Sequence, residues 1–367
     1  MKRPSRRMIL SMLGFVAVVI FGIGLSIGMD VKRAADNIIV MSIPPVEIPD
    51  NIVVLPEATA MNLPLGAPGV VSGPAPTAIP DLEPTILPLP DAAMTFLLMG
   101  TDARIGEDIA RTDAMIVLRV DFATKRVSML SLPRDLAMTI PRVNEQLRIN
   151  TAFYLGEKRL GKGYGPALAK EAVGKLLGLK IDHFMLINFE GFEKLIDKLG
   201  GVTIDVPKAI YDPTYPRDAY AGDIRTMKVS FKTGEQKMDG ETALIYARTR
   251  HADSDFGRQS RQQEMLMAIF DTILDQGLYT QVTNVDEYTD ALRDYVTYDI
   301  ALSEMVSLAR IAPDINIRSV EQYSIKPSML AEQPNPYYLF INDKKAFSRL
   351  VNTFVNGEAT ASAKAAP

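Results

Sequence analysis

The pattern of apolar and polar positions divides the chain into three unlike stretches. Met8–Met29 reads MILSMLGFVAVVIFGIGLSIGM, 22 residues without a charge. At about 1.5 Å of rise per residue, a helix of this length crosses a bilayer core. Lys2, Arg3, Arg6 and Arg7 precede it; Lys32 and Arg33 follow, flanked by Asp30 and Asp36. The pattern predicts a retained signal anchor, with residues 1–7 in the cytoplasm and the rest of the chain outside the membrane. From 30 to 90 neither a helical nor a strand period is present. Twelve prolines lie between Pro44 and Pro90. Proline at that density breaks both hydrogen-bonded ladders and favours extended backbone, so this stretch is expected to be a stiff spacer.

From about Asp91 the pattern becomes that of a folded domain reaching residue 357. MTFLLMG (Met94–Gly100) reads as a buried strand. DAMIVLRVDF (Asp113–Phe122) and RVSMLSLP (Arg126–Pro133) flank a short turn and predict a hairpin. Gly165–Gly178 is an amphipathic helix with proline near its start and glycine at its stop. HFMLINF from His183 predicts a strand, Glu190–Gly201 a helix and VTIDVP from Val202 a strand. A further helix is expected from Arg258 to Asp275, and a helix, strand and helix close the domain at 301–312, 315–325 and 343–357. Strands interleaved with helices predict an α/β sandwich, and the early hairpin makes its sheet mixed. The tail 358–367 is expected to be disordered.

Composition narrows the chemistry. A formal net charge of -4 gives no general attraction to nucleic acid, so an anion site must be local. There is no cysteine, hence neither a disulfide framework nor a thiolate metal site. His183 opens an apolar strand and reads as structural; His251 lies in an arginine cluster, and neither supports a zinc site. GxxxxGK[ST], GxGxxG after a strand and GxSxG are all missing. GKGYG (Gly161–Gly165) reads more simply as a loop before a helix than as a phosphate contact.

Charge instead gathers where predicted strands end or helices begin. GTDARIGEDIARTD offers Asp102, Arg104, Arg111 and Asp113; SLPRD offers Arg134 and Asp135. GETALIYARTRHADSDFGRQSRQQEM offers Arg248 and Arg250, which would share one side of an extended segment. Its Arg258, Arg261 and Gln262 would share one helix face near an N-terminus. Asp253 and Asp255 lie between these pairs and could orient them. Arginine forks hold phosphate oxygens bidentately, and carboxylates beside phosphate make sense through a hard cation such as Mg²⁺. The spacing alone fits a pyrophosphate site and a set of surface ion pairs equally well.

Taken in order, these stretches, with RINTAFYLG and IDHFMLINFEGFEKLIDKLGGVTIDVP, resemble the LytR-CpsA-Psr family of cell-envelope proteins from about residue 94 to 275. The resemblance implies an extracytoplasmic three-layer α/β/α domain with a central mixed sheet. It also implies an apolar cavity for a polyprenyl chain with its pyrophosphate at the mouth. The implied activity moves a glycopolymer from a polyprenyl-pyrophosphate carrier to a cell-wall glycan hydroxyl, that of peptidoglycan. By motif, Asp102 and Asp113 look like Mg²⁺ ligands, and Arg104, Arg111, Arg134, Arg248 and Arg250 like a pyrophosphate clamp, completed by Arg258, Arg261 and Gln262. Asp135 looks like a support for Arg134. Where members often read INHAY this chain reads INTAF (Ile149–Phe153), so Thr151 supplies no imidazole base. Hydrolysis of prenyl pyrophosphates would use the same clamp. A non-enzymatic sensor or transcriptional attenuator is the other reading, which the expected topology places away from DNA.

Overall fold

A computed structural model describes residues 47–48, 93–102, 111–216, 225–250, 254–276, 291–301, 304, 319–334 and 337–357. The expected anchor at Met8–Met29, nearly all of the spacer and the tail lie outside the described residues. Within the spacer, Ile48 is buried in the same cluster as Leu97 and Phe354, so the chain touches the domain core before the first strand.

The centre is a six-stranded sheet in the order β11-β6-β1-β2-β3-β12. Its strands are β1 (Ala93–Thr101), β2 (Thr112–Asp121), β3 (Arg126–Ser131), β6 (His183–Asn188), β11 (Val296–Tyr298) and β12 (Glu321–Ser324). β1 pairs antiparallel with β2 and parallel with β6; β3 pairs antiparallel with β2 and parallel with β12. The sheet is therefore mixed, as the Asp113–Pro133 hairpin pattern predicts. Both faces are covered, which is why β1 and β2 read as nearly continuous apolar runs rather than alternating ones.

Alternate residues separate the two faces. Leu97, Met99, Met115, Val117 and Leu130 face α2 (Gly165–Leu177) and α6 (Lys344–Asn356). Phe96, Ile116, Leu118 and Met129 face Phe270 and Leu266 of α5 (Asp255–Gln276). Each fully buried side chain of this size contributes about 1.5–3 kcal/mol. A second cluster joins α5 to α3 (Phe189–Lys198), α4 (Gly240–Arg248), β7 (Val202–Val206) and β10 (Gly234–Met238). Helix starts follow local chemistry: Asn188 accepts from the Gly191 N–H at 2.8 Å, and Asp239 from the Thr242 N–H at 2.9 Å. α2 stops at Gly178, whose φ of 67° favours glycine.

Four smaller pairings lie outside the predicted elements or extend them. β7 pairs with β10, and β8 (Ile210–Pro216) with β9 (Thr226–Phe231). β4 (Ala137–Thr139) pairs with β5 (Gln146–Arg148), and β13 (Leu330–Pro334) with β14 (Tyr337–Ile341). α1 (Thr151–Leu155) follows β5. The expected helix at 301–312 falls largely outside the described residues.

Because β1, β3 and β6 run parallel to one another, their C-terminal ends share one edge of the sheet. Arg134 follows β3 there, and Phe189 follows β6. Ends of parallel strands are where open α/β sheets place ligands.

Candidate functional site

A β-bulge begins the site. Gly100 pairs with Ala114 but Thr101 with Thr112, leaving Asp113 as the extra residue of β2. Strict alternation would send Asp113 to the opposite face from Ala114. The bulge re-aims it, and both line one polar pocket. Arg134 Nη1 donates to Asp113 Oδ1 at 2.5 Å. Arg134 Nε also lies 3.7 Å from a carboxylate oxygen of Asp135 and 3.7 Å from one of Asp255. Burial alone would lower the Arg134 pKa, but Asp113, Asp255 and Asp135 together raise it, so its charge is secure.

Arg258 enters from the first turn of α5, where backbone N–H groups favour an anion. It is paired with Asp255 at 2.7 Å. Burial lowers its pKa, with Asp255 opposing and Arg134 and Arg250 adding to the lowering. The Nε atoms of Arg134 and Arg258 are buried without a hydrogen-bond partner. An unsatisfied buried donor costs about 1–3 kcal/mol.

Arg248 and Arg250 do not lie on an extended segment. Arg248 is the last residue of α4, and Thr249 turns the chain out of the helix with φ -57° and ψ 141°. Both arginines nevertheless line the pocket. The Arg248 guanidinium sits 4.2 Å from the Phe189 ring centroid and donates to the Tyr215 hydroxyl at 3.1 Å. Burial raises the Tyr215 pKa, partly opposed by Arg248, so the phenol stays protonated.

Thr249 is held from both sides. Its hydroxyl donates to Asp212 Oδ2 at 2.7 Å, and its carbonyl accepts from Arg261 Nη2. Arg261 Nε donates to the Tyr246 carbonyl at 3.0 Å. Arg261, expected in the clamp, thus lies beneath the α4–α5 turn and outside the pocket lining. Successive helix positions point in different directions, and burial at position 261 faces the backbone of α4 rather than the mouth. Asp255 does orient arginines as expected. Asp253, His251 and Arg104 lie outside the described residues.

The polar pocket has about 580 Å³ of space including its open mouth. Beside it is an apolar cavity of about 960 Å³, likewise open, between the sheet and α3, α4 and α5. Gly100, Ala114, Phe189, Arg248 and Gln262 line both. The floor between them is made of the two smallest side chains of the pair β1–β2; a Cβ on Gly100 would lie 3.3 Å from that of Ala114. Asp102 and Arg111 are exposed at the adjoining ends of β1 and β2 and do not line either cavity.

The remaining predicted residues have other surroundings. His183 is buried, stacks on Phe96 at 5.6 Å between centroids and lies 3.6 Å from Asp299. Within GKGYG, the Gly163 and Gly165 N–H groups donate to Glu157, a local loop arrangement. Thr151 donates to the Arg148 carbonyl at 2.6 Å. Phe189, Asp212, Tyr215, Thr249, Gly100 and Ala114 are pocket residues that the charge pattern does not mark. Gly100 and Ala114 come together only once β1 and β2 pair, so no sequence pattern marks them.

Residues 80–354 match the model of the LytR_cpsA_psr family. The chain belongs to the LytR-CpsA-Psr family. It is 27% identical over 279 residues to TagV of Bacillus subtilis, a polyisoprenyl-teichoic acid–peptidoglycan teichoic acid transferase, covering 74% of this chain and 66% of TagV. It is 31% identical over 213 residues to the regulatory protein MsrR of Staphylococcus aureus, covering 57% of each. The match thus spans about two thirds or less of these curated relatives. The crystal structure of B. subtilis TagV aligns with TM-score 0.55 and 26% identity, covering 74% of this chain and all of that one (100%). TagT, solved bound to LI-WTA, aligns with TM-score 0.54 and 26% identity, covering 72% of this chain and 91% of that one.

Proposed function

We propose that this LytR-CpsA-Psr protein is a phosphotransferase that moves a glycopolymer from a polyprenyl-pyrophosphate carrier to a hydroxyl of a cell-wall glycan, peptidoglycan. The observation that carries this reading is the continuity of an arginine-lined pocket with an apolar cavity across Arg248, Phe189 and Gln262. A long apolar chain bearing a compact polyanion is complementary to that pair of environments. The transferase activity for which TagV is named and the LI-WTA bound in the TagT structure support it. The apolar run at Met8–Met29 would keep the domain at the membrane that holds such a carrier.

In this reading Arg134, Arg248, Arg250 and Arg258 hold the pyrophosphate oxygens, with Gln262 at the lipid side. The acceptor hydroxyl oxygen bonds to the glycan-proximal phosphorus while its bond to the bridging oxygen breaks. Polyprenyl phosphate leaves, and the hydroxyl proton passes to a site carboxylate. Preorganised arginines stabilise the charge that builds on the leaving and equatorial oxygens. A magnesium ion would be held here through Asp113, since Mg²⁺ is commonly bound by one or two carboxylates plus phosphate oxygens. Asp113 faces the pocket, whereas Asp102 follows β1 outside the pocket lining. When bound, the ion would supply further stabilisation of phosphate charge.

The test is the full chain in detergent with a defined lipid-linked donor, with and without glycan acceptor. A new glycan phosphodiester that requires acceptor is the expected product. Free glycan phosphate formed equally well without acceptor would replace transfer by hydrolysis. Chelation followed by Mg²⁺ restores activity if the ion takes part; full activity in chelator removes it from the proposal.

A further inference from the structure

We infer that Tyr337 and Arg148 form a sugar-ring subsite at the rim of the arginine pocket, a reading that rests on the transfer reaction proposed above. The β13–β14 hairpin is docked beside Arg134. The Leu339 N–H donates to the Asp135 carbonyl at 3.0 Å, and Leu136 bridges Leu339. Leu339 is buried in the main core. Tyr337, two residues earlier, shares its strand face. Hydrogen bonds to backbone carbonyls, from Leu339 to Asp135 and from Arg148 to Tyr337, hold this end of the strand beside Asp135.

Tyr337 is accordingly 38% exposed, one of two large exposed side chains of this kind among the described residues. Burial of its phenol, then the charges of Glu332, Asp135 and Asp255, raise its pKa. Arg148 links the hairpin to the pocket. Its Nε donates to the Tyr337 carbonyl at 3.0 Å and lies 3.3 Å from Asp135, and its guanidinium carbon lies 5.7 Å from the Tyr338 ring centroid. Asp135 in turn contacts Arg134.

A half-exposed phenol held by a docked hairpin, beside an arginine and a carboxylate, has the chemistry of a saccharide platform. The ring offers an apolar face to sugar C–H groups and a polar tip to hydroxyls. Arg148 and Asp135 add charged donors and acceptors in a fixed place. The pocket alongside would hold the phosphate at which sugars meet. The sugar could be the acceptor glycan or the donor's phosphate-proximal residue; the chemistry is the same.

The chain has no tryptophan, so Tyr337→Trp installs one reporter at this position. Titration with soluble uncrosslinked peptidoglycan fragments, and separately with polyprenyl pyrophosphate lacking sugar, reads binding without requiring turnover. A saturable change in fluorescence with the fragments places the acceptor there. A change only with disaccharide-bearing polyprenyl pyrophosphate, and not with the sugar-free lipid, places the donor sugar there. In the transfer assay Tyr337→Ala should raise KM for the corresponding sugar substrate about tenfold with kcat little changed, and Tyr337→Phe should retain most affinity. Silent fluorescence with every sugar probe, together with unchanged KM values for both substrates, overturns the subsite. If fluorescence responds to sugar but the wild type makes no phosphodiester, the transfer reading fails and the subsite survives.

Discussion

The Arg248 guanidinium lies over the Phe189 ring, with 4.2 Å between its central carbon and the ring centroid. Phe189 is the first residue of α3 and Arg248 the last of α4, so the contact joins two helix ends at the boundary between polar and apolar cavities. Arg248→Ala should lower kcat for transfer about 10²–10³-fold if its charge stabilises the reacting phosphate. Arg248→Lys keeps the charge but loses the planar stack and fork, and should recover only part. Melting temperatures of the purified variants separate this from misfolding. Well-folded Arg248→Ala with normal turnover would remove Arg248 from the reaction.

The small residues at the cavity floor give a second outcome. Ala114→Leu would project three further carbons into the space that Ala114 shares with Gly100 and Phe189. Binding of a long polyprenyl pyrophosphate should weaken at least about tenfold, since burying even two methylenes is worth more than 1.4 kcal/mol. Inorganic pyrophosphate, which needs no apolar cavity, should weaken less. Equal weakening of both ligands would locate the effect in the arginine pocket instead.

The brace on Thr249 gives a third. Thr249→Val removes the hydroxyl that donates to buried Asp212, and should destabilise the fold by about 1–3 kcal/mol. The turn between Arg248 and Arg250 then loosens, and kcat should fall up to about 100-fold, as when reacting groups are misplaced by an ångström. Thr249→Ser keeps the hydroxyl and should restore turnover. Denaturant unfolding and steady-state kinetics on the same preparations check both parts.

A buried pair far from the pocket should govern acid stability. Lys170 Nζ donates to Asp299 Oδ2 at 2.5 Å, and the Phe184 N–H donates to Oδ1 at 2.7 Å. Burial alone would raise the Asp299 pKa, but His183, Lys170 and the Phe184 N–H bring it below its ordinary value. A carboxylate with a depressed folded pKa contributes fully above its unfolded pKa, and the contribution is lost as pH falls through the folded value. The stabilisation should therefore be complete at neutral pH and fade below about pH 4. Asp299→Asn should cost about 3–5 kcal/mol at pH 7 by stranding Lys170, with the gap to wild type closing in acid. Thermal unfolding from pH 7 to pH 3 measures it; a constant gap would sink the assignment.

The legible parts of the fold were those with strong local pattern. The Met94–Gly100 strand, the hairpin to Pro133 and the helices at Gly165–Gly178 and Arg258–Asp275 follow from apolar runs, turn residues and caps, which need no distant partner. The strands β8, β13 and β14 carry polar and aromatic residues with little period, and β9 is a short alternating stretch; they exist because they pair with one another. The segment ending at Arg250 was harder still. Two arginines at i and i+2 suit a strand, but the Asp239 cap and the buried Ala243, Leu244, Tyr246 and Ala247 make it a helix.

The sequence by itself determined a mixed α/β domain and marked Asp113, Arg134, Arg248, Arg250, Arg258 and Gln262, all of which the structure gathers around one pocket. Burial patterns and charge clusters are properties of neighbouring residues, and so survive in one dimension. Only the tertiary structure decided that Arg261 braces a turn, that a bulge aims Asp113, and that Asp212 and Tyr215 join the site from a separate hairpin. Those depend on which way a side chain points after strands pair and helices cross. A shift of one residue in register reverses that direction without changing composition or spacing.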